Sequence, residues 1–292
     1  MKKLTLFILT LIMATGCCTA FCACNGTTTP PPPNPQVVIN DTDGLGYVYN
    51  ERLQGYILNS LNGVTETKIG IPATYEGAPV KAIACGVFTN ESNVTAVKIP
   101  NSVGRVEDGA FEQCLSLETI LVDKDNTDFC AQDGILYNKE CTEIIAVPKA
   151  IKGEITLPNT LTSIGERQFE RRNGITQVNF PQGFETIGDY AFYMCQGLVK
   201  ADWPTSMIKV GHGAFYGCKK LATLFIPIGI EYLGGYCFYG CTLLKYTYAG
   251  TQTQWYDMLE VAFVDANLTT EEQEKMYWIA WDSNIPTFAI NE

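Results

Sequence analysis

The middle of this chain repeats itself at a fixed interval. One phenylalanine marks each unit, and all but one neighbouring pair of these phenylalanines are 23 residues apart: Phe88, Phe111, Phe169, Phe192, Phe215 and Phe238. A period of this length indicates a solenoid, in which each unit forms one turn that stacks on the next. The repeat therefore constrains the architecture closely and the ligand hardly at all.

Apolar residues return at the same offsets from each phenylalanine. The segment after the phenylalanine ends in two apolar residues separated by one polar residue, as in Val178, Asn179 and Phe180. Alternation with a period of two is typical of a half-buried strand. A proline such as Pro181 then removes the next ladder donor. We expect each turn to contain one short strand and one compact return segment around a shared apolar interior.

Two stretches carry a resemblance to a known family: Ile187 to Leu198, and Val210 to Cys218 (VGHGAFYGC). They resemble the BspA-like leucine-rich repeat family, over roughly residues 45–260 and in six units. The resemblance implies a right-handed, curved solenoid that is α/β or mainly β. It also implies a bacterial cell-surface protein of the kind often tied to adhesion or host contact, with no catalytic residues. The sequence departs from the pattern in the 58-residue gap before Phe169, and in Glu91 and Arg172 at the usual cysteine position.

The pattern divides the chain into five segments. They are a signal peptide (1–16), a lipid-attachment site with a proline-rich spacer (17–44), an N-terminal β cap (45–80), the repeat solenoid with a hairpin insertion near 129–150 (81–250), and a partly helical C-terminal cap (251–292). The helical part follows from Thr251 and Gln254, which have capping-box spacing, and from a second helix start near Thr269. We expect Trp255, Trp278 and Trp281 to pack over the last turn; the alternative is an exposed platform.

The N-terminus predicts export and anchoring. Two lysines precede an apolar run that ends in small residues, which describes a secretory signal. Ala14 to Cys17 resembles a lipoprotein processing site, so Cys17 is the predicted lipid-attachment residue, with Cys24 as the alternative. The alternative interpretation of the N-terminus is an ordinary cleaved signal peptide without a lipid. The predicted location is the extracellular face of the bacterial cell envelope, where the proline-rich stretch acts as a semi-stiff spacer.

The cysteines that recur with the repeat are predicted to be buried thiols. Four of the twelve occupy one slot of successive turns and read as a thiol ladder: Cys114, Cys195, Cys218 and Cys241. Cys130 and Cys141 flank the predicted hairpin, and the sequence leaves a bridge between them open. The lone His212 cannot complete a zinc set, and the acidic run 123–128 fits a solvated loop better than a calcium loop. No metal and no cofactor is predicted.

Strand residues that alternate with the apolar set are expected to face outward on one continuous sheet. The candidate partner-binding residues on this surface are Phe225, Tyr246 and Tyr248, with Lys200 and Asp202. Exposed aromatic side chains are favoured at contact sites. The alternative is that the C-terminal tail covers them. A second ladder of Tyr193, Tyr216 and Tyr239 on the return side reads as stacking that shields the backbone, or as a contact surface.

Charge and motifs narrow the classes of function. The formal charge is −11, and removing the two lysines before Cys17 gives −11 − 2 = −13, which argues against a nucleic-acid partner. One histidine and no GxSxG, HExxH or phosphate loop argue against an enzyme. The prediction is an anchored, non-catalytic module that recognises a protein or a glycan. The alternative is a structural envelope scaffold without a specific soluble ligand, and a carboxylate-dependent glycoside hydrolase is the remote third.

Overall fold

A computed structural model describes residues 39–89, 91–255 and 287–288 of the chain. The signal peptide, the candidate lipid sites Cys17 and Cys24, and the proline-rich spacer lie outside the described residues. The predicted second C-terminal helix, Trp278 and Trp281 also lie outside them. In the described part, no helix has the length and apolar character that a membrane crossing requires.

The first part of the fold combines an antiparallel edge with the start of a parallel stack. Its strands are β1 (Gly46–Asn50), β2 (Gly55–Ser60), β3 (Lys68–Gly70), β4 (Thr74–Tyr75), β5 (Ala78–Ile83), β6 (Ala96–Ile99), β7 (Arg105–Val106) and β8 (Thr119–Val122). β1 and β2 pair as an antiparallel hairpin. β5 then runs parallel to β2 and to β7, while β3, β6 and β8 form a separate parallel sheet.

The insertion between the two parts is a three-stranded antiparallel sheet. Its strands are β9 (Phe129–Gln132), β10 (Ile135–Asn138) and β11 (Ile144–Ala146), in the order β11-β10-β9. The predicted hairpin corresponds to β10 and β11, and β9 is an additional strand. Cys130 and Cys141 form a disulfide across this insertion, which answers the question that their sequence positions left open.

The second part is the regular solenoid. Its strands are β12 (Lys152–Thr156), β13 (Ser163–Ile164), β14 (Gly174–Asn179), β15 (Thr186–Ile187), β16 (Lys200–Asp202), β17 (Lys209–Val210), β18 (Thr223–Ile226), β19 (Tyr232–Leu233), β20 (Lys245–Tyr248) and β21 (Thr287–Phe288). They form two parallel sheets, β12-β14-β16-β18-β20-β21 and β13-β15-β17-β19. Gln177 lies opposite Lys200 and Ile187 opposite Val210, so the 23-residue period becomes the strand register. The predicted solenoid is confirmed.

The repeat phenylalanines form the spine of the interior. Phe169, Phe192 and Phe215 are fully buried, with ring centroids 5.0 Å and 5.2 Å apart along the stack. Phe88 and Phe111 stack in the same way at 5.0 Å before the insertion. Buried residues fall into two clusters that meet at β10, where Leu136 joins the first cluster and Ile135 and Tyr137 join the second. The alternating side chains of β10 therefore connect the two interiors.

The predicted thiol ladder is present. Cys195 donates a hydrogen bond from Sγ to the carbonyl of Phe169 at 2.9 Å, and Cys218 and Cys241 repeat this bond to the corresponding phenylalanines at 3.2 Å and 3.1 Å. All four predicted thiols are free and buried. Each thiol thus satisfies a carbonyl of the preceding turn while it packs as a small apolar group.

The predicted single continuous sheet is wrong. The parallel ladder is divided into β3-β6-β8 before the insertion and β12 to β21 after it. The backbone N–H of Ile120 on β8 donates to the carbonyl of Gly134 at the β9–β10 turn, 2.9 Å away. The insertion thus takes up hydrogen-bonding capacity of β8 that the next parallel strand would have used.

The solenoid ends on a capped helical turn. Residues 252–255 are helical. The N–H of Thr251 donates to Oε1 of Gln254 at 2.9 Å, and the N–H of Gln254 donates to Oγ1 of Thr251 at 3.3 Å. This is the predicted capping box. Trp255 is buried against Tyr246 and Tyr248 of β20, with centroid distances of 5.8 Å and 5.2 Å, so its predicted packing over the last turn is confirmed.

Candidate functional site

The outward side of the second parallel sheet is the candidate site, and we call it the ladder face. Side chains along β12, β14, β16, β18 and β20 alternate between the buried interior and this face. The ladder face consists of Glu154, Thr156, Gln177, Asn179, Lys200, Asp202, Thr223, Phe225, Lys245 and Thr247. Neighbouring strands of a sheet are about 4.8 Å apart, so adjacent turns place their side chains within reach of one another.

A hydrogen-bonded group of polar side chains occupies the first two strands of the ladder face. Nδ2 of Asn179 donates to Oε1 of Glu154 at 2.7 Å and to Oγ1 of Thr156 at 3.2 Å. Nε2 of Gln177 donates to Oδ1 of Asn179 at 2.7 Å and to Oε1 of Glu154 at 3.3 Å. These bonds hold planar amide and carboxylate groups in defined orientations at the surface. Groups that are ordered in advance lose less entropy when they bind a ligand.

The next strand carries an ion pair. Nζ of Lys200 lies 2.7 Å from Oδ2 of Asp202, and both side chains are well exposed. The hydrogen bond to Asp202 and the charge of that carboxylate raise the pKa of Lys200. An exposed pair of this kind contributes little to stability. Its two charges are therefore available to a partner at little cost to the fold.

Phe225 supplies an apolar element beside the charged strand. Its side chain is 46% exposed and lies on β18, between Asp202 on β16 and Thr247 on β20. A large aromatic residue at this exposure does not contribute its full apolar area to the core. The ladder face thus changes from polar to charged to aromatic along the stack.

The prediction that Tyr246 and Tyr248 face outward is wrong. Tyr246 is 9% exposed and Tyr248 is 2% exposed, and both belong to the core. Thr223 lies opposite Lys245, a separation of 22 residues, so this turn is one residue shorter than the repeat. Because strand side chains alternate, a shift of one residue moves every side chain to the other face. Of the five predicted partner-binding residues, Lys200, Asp202 and Phe225 stay on the ladder face.

The return side carries the second aromatic ladder. Tyr193, Tyr216 and Tyr239 stack with ring centroids 5.1 Å and 4.9 Å apart. His212 lies edge-on between Tyr190 and Tyr236, at 5.4 Å and 5.3 Å. Burial lowers the pKa of His212, against the opposite influence of Asp189. Tyr216 is thus stacked on both of its faces, whereas Tyr239 at the end of this ladder is 45% exposed.

The structural role of Asn126, in the acidic run 123–128, was not predicted from the sequence. Asn126 is 1% exposed, and its Nδ2 donates to the carbonyls of Pro100 and Val103 at 2.7 Å and 2.9 Å. Its Oδ1 accepts from the N–H groups of Asp128 and Phe129. Asn126 therefore ties the loop to the preceding turn. Within the described ranges, no three His, Cys, Asp or Glu side chains are grouped as metal ligands.

The described part of the chain buries few charges. Its buried polar or charged residues are Thr42, Asn126 and Arg172, and they include no aspartate or glutamate. A glycosidase uses two carboxylates that flank one bond, with one of them protonated through its environment. In the described part of the chain, every aspartate and glutamate is at least partly exposed.

The two stacked parallel ladders define a leucine-rich repeat protein. The family model of the BspA type leucine rich repeat region matches residues 67–152 and 150–266, in six copies. These matches cover more than half of the chain, which therefore belongs to this family. No curated protein matches the chain by sequence.

Solved structures of bacterial proteins are similar to this chain. A leucine-rich repeat protein from Eubacterium ventriosum is 22% identical, with a TM-score of 0.46, over 65% of this chain and 62% of its own. One from Bacteroides ovatus is 24% identical, with a TM-score of 0.49, over 74% and 55%. The pneumococcal vaccine antigen PcpA is 17% identical, with a TM-score of 0.50, over 77% and 68%. The chain thus spans less than two thirds of the first two proteins.

Proposed function

We propose that this protein is a lipid-anchored recognition module on the outer face of a bacterial cell, where it binds a protein or a glycan through the ladder face. The observation that carries the proposal is the open side of β12 to β20, where ordered amides, an ion pair and the exposed Phe225 lie side by side. A stable fold does not need an aromatic ring of this size at an exposed strand position. Binding requires no catalytic group.

The proposed location rests on the sequence before the solenoid. A secretory signal, a cysteine for lipid attachment at Cys17 or Cys24, and a proline-rich spacer would hold the ladder face away from the membrane. The family and its structural neighbours support an outer location: the Faecalibacterium prausnitzii neighbour is described as a leucine rich cell surface protein, and PcpA as a vaccine antigen. Metabolic labelling with a fatty-acid probe would test the anchor, with Cys17→Ala and Cys24→Ala as separate variants.

Binding is tested with the purified protein against immobilised matrix proteins, mucin and a glycan array. For any partner found, Phe225→Ser is expected to weaken binding about tenfold or more, as for an aromatic residue at an interface centre. Leu115→Ser is the matched control, because Leu115 is also an exposed apolar residue but belongs to a turn before the insertion. Equal affinity of Phe225→Ser and Leu115→Ser for the partner would reject the ladder face.

The burial of Tyr246 and Tyr248 favours a second candidate, an envelope scaffold without a specific soluble ligand. It leaves Phe225 as the exposed aromatic ring of the ladder face among the described residues. Under this alternative the binding screens stay negative. Loss of the protein then alters detergent sensitivity of the cells, and the Phe225→Ser variant restores it as fully as the natural sequence.

A further inference from the structure

Four tyrosines lie together at the opposite end of the molecule from the last turn. Tyr47 and Tyr49 are on β1, Tyr56 is on β2 and Tyr75 is on β4; we call them the N-terminal tyrosine cluster. Tyr47 stacks on Tyr75 at 4.4 Å. Tyr56 stands nearly perpendicular to both Tyr49 and Tyr75, at 5.3 Å and 5.0 Å. The cluster belongs neither to the ladder face nor to the return-side ladder.

The strand pairing explains why these rings meet. Tyr47 and Tyr49 are two residues apart on β1, so they share one face of the sheet. Tyr49 lies directly opposite Tyr56 on β2. Tyr47, Tyr56 and Tyr75 pack against the edge of the first core cluster, whereas Tyr49 is 49% exposed. The rings are thus supported from below and open to solvent on one side.

A carboxylate is held against this cluster. The hydroxyl of Tyr56 donates to Oε2 of Glu76 at 2.9 Å, and this bond raises the pKa of Tyr56. Glu76 has a φ of 46° and precedes Gly77 with a φ of 81° in the tight turn between β4 and β5. Asparagine and glycine are the usual residues at such a position, where the backbone of a glutamate is strained. No described residue donates a hydrogen bond to the second oxygen, Oε1, of Glu76.

Elsewhere in the same chain, a tyrosine ring and carboxylate groups together contact an arginine side chain. The guanidinium carbon of Arg167 lies 4.6 Å from the ring centroid of Tyr190. Arg167 also donates to Glu170 at 3.0 Å and to Glu166 at 3.3 Å. The one other cation–π contact among the described residues is Lys209 over Tyr232. The N-terminal tyrosine cluster therefore has the aromatic and acidic parts of the Arg167 arrangement without a described cation over its rings.

The charge around the cluster favours a cation. Burial raises the pKa of Tyr47, and the charge of Asp41 raises it further, so this phenol stays neutral. The whole chain has a formal charge of −11. The basic residues of the same sheet are Arg52 in the β1–β2 loop, which is exposed, Lys81 on β5, whose side chain packs beside Gly55, and Arg105 on β7, which lies 3.6 Å from Glu107.

We infer that the N-terminal tyrosine cluster and Glu76 bind an arginine side chain of a partner polypeptide. A guanidinium group stacks on an aromatic ring through its plane and donates to a carboxylate from its edge. Tyr49 offers the exposed ring and Oε1 of Glu76 the acceptor. A quaternary ammonium group has no N–H to donate to Glu76, and a lysine ammonium can lie over a ring, as Lys209 does over Tyr232, but has no plane to stack on it. The site is independent of the ladder face and of the lipid anchor.

The test uses the full chain and a peptide of four arginines, compared with the same peptide in which citrulline replaces arginine. Citrulline keeps the shape of arginine and removes its charge. We expect saturable binding of the arginine peptide by calorimetry, with Tyr49 and Tyr56 ring signals shifting in NMR spectra. The citrulline peptide should bind at least tenfold more weakly, since a charge-assisted hydrogen bond and a cation–π contact are both lost.

Two variants assign the binding to this site. Glu76→Gln keeps an acceptor for Tyr56 and is expected to weaken arginine-peptide binding about fivefold or more, whereas Glu51→Gln removes the same charge from the exposed hairpin loop and should change it less than twofold. Tyr49→Leu keeps an apolar side chain and should weaken binding about threefold to fivefold. Equal effects of Glu76→Gln and Glu51→Gln, or equal binding of the two peptides, would overturn the inference. An unchanged melting temperature in each variant shows that the fold is intact.

Discussion

The solenoid before the insertion and the solenoid after it are built from the same repeat but reach different regularity. Before the insertion, two phenylalanines stack, and the thiol slot holds Glu91 in one turn and Cys114 in the next. After it, four phenylalanines form one stack, and the thiol slot holds cysteine in three consecutive turns. A continuous ladder thus requires the same side chain in the same slot, since each turn is packed mainly by its neighbours.

The largest effect is expected when one phenylalanine is replaced in each of the two parts of the solenoid. Phe192→Ala and Phe88→Ala should each destabilise the protein by about 3–5 kcal/mol, because both side chains are fully buried. Phe192 stacks on rings on both sides and Phe88 on one. We therefore expect Phe192→Ala to raise hydrogen exchange throughout β12 to β20, and Phe88→Ala to affect mainly β1 to β8. Exchange that rises equally in both parts for both variants would show a single cooperative unit.

A smaller effect is expected from the bridge inside the insertion. Cys130 and Cys141 are 11 residues apart, and closing a loop of this length stabilises a protein by about 3 kcal/mol in the chain-entropy description. The double variant Cys130→Ala/Cys141→Ala should lose about this amount in chemical denaturation, with the change centred on β9 to β11. The buried Cys218→Ala variant is the control for removing a cysteine without a bridge. An unchanged denaturation midpoint in the double variant would mean that the bridge contributes nothing to stability.

The smallest effect concerns the residue that begins the regular part. Arg172 occupies the thiol slot, where its guanidinium group donates to the carbonyls of Glu170 and Val147, both at 2.7 Å. Burial lowers the pKa of Arg172 to about 10, so it is still charged at neutral pH. Arg172→Met should cost about 1–3 kcal/mol because the carbonyl of Val147 loses its buried partner.

Arg171→Met is the matched control for that variant. The Arg171 side chain is largely exposed, and its loss should change the free energy of unfolding by less than about 0.5 kcal/mol. Thermal unfolding of the two variants side by side gives the comparison. If Arg172→Met were as stable as the natural sequence, the hydrogen bond from Arg172 to Val147 would contribute nothing to stability.

Much of the fold could be predicted because the repeat states the same packing several times. From Phe169 onward, the apolar residue five positions before each phenylalanine, as at Ile164 and Ile187, is the buried residue of its strand in the sheet β13-β15-β17-β19. The thiol slot was also predictable, since a cysteine that recurs with the period of the turn returns to the same buried position in each turn. These features depend only on the position of a residue within its 23-residue repeat, and that position can be counted directly from the sequence.

The errors arose where the frame changed. After Leu221 the next inward strand residue is Leu224, three positions on, whereas after Leu244 it is Tyr246, two positions on. Counting from Phe238 therefore placed Tyr246 and Tyr248 on the wrong face. The sequence does contain an indication that this turn departs from the repeat, because no proline follows Tyr248 as Pro227 follows Ile226. The network around Asn179 had no such signal, since it depends on side chains of neighbouring turns meeting across strands.

The buried thiols have a consequence for the proposed location of the protein outside the cell. Burial raises the pKa of Cys195 to about 12 and that of Cys114 to about 11, so both stay protonated and unreactive once the turns have closed. In a chain that has not folded, the same sulfurs have ordinary acidity and are open to oxidants. An oxidising environment would then leave the cysteines of folded molecules unchanged and would oxidise those of molecules that have not folded. The oxidation state of the thiol ladder would therefore indicate whether a molecule folded before it met the oxidant.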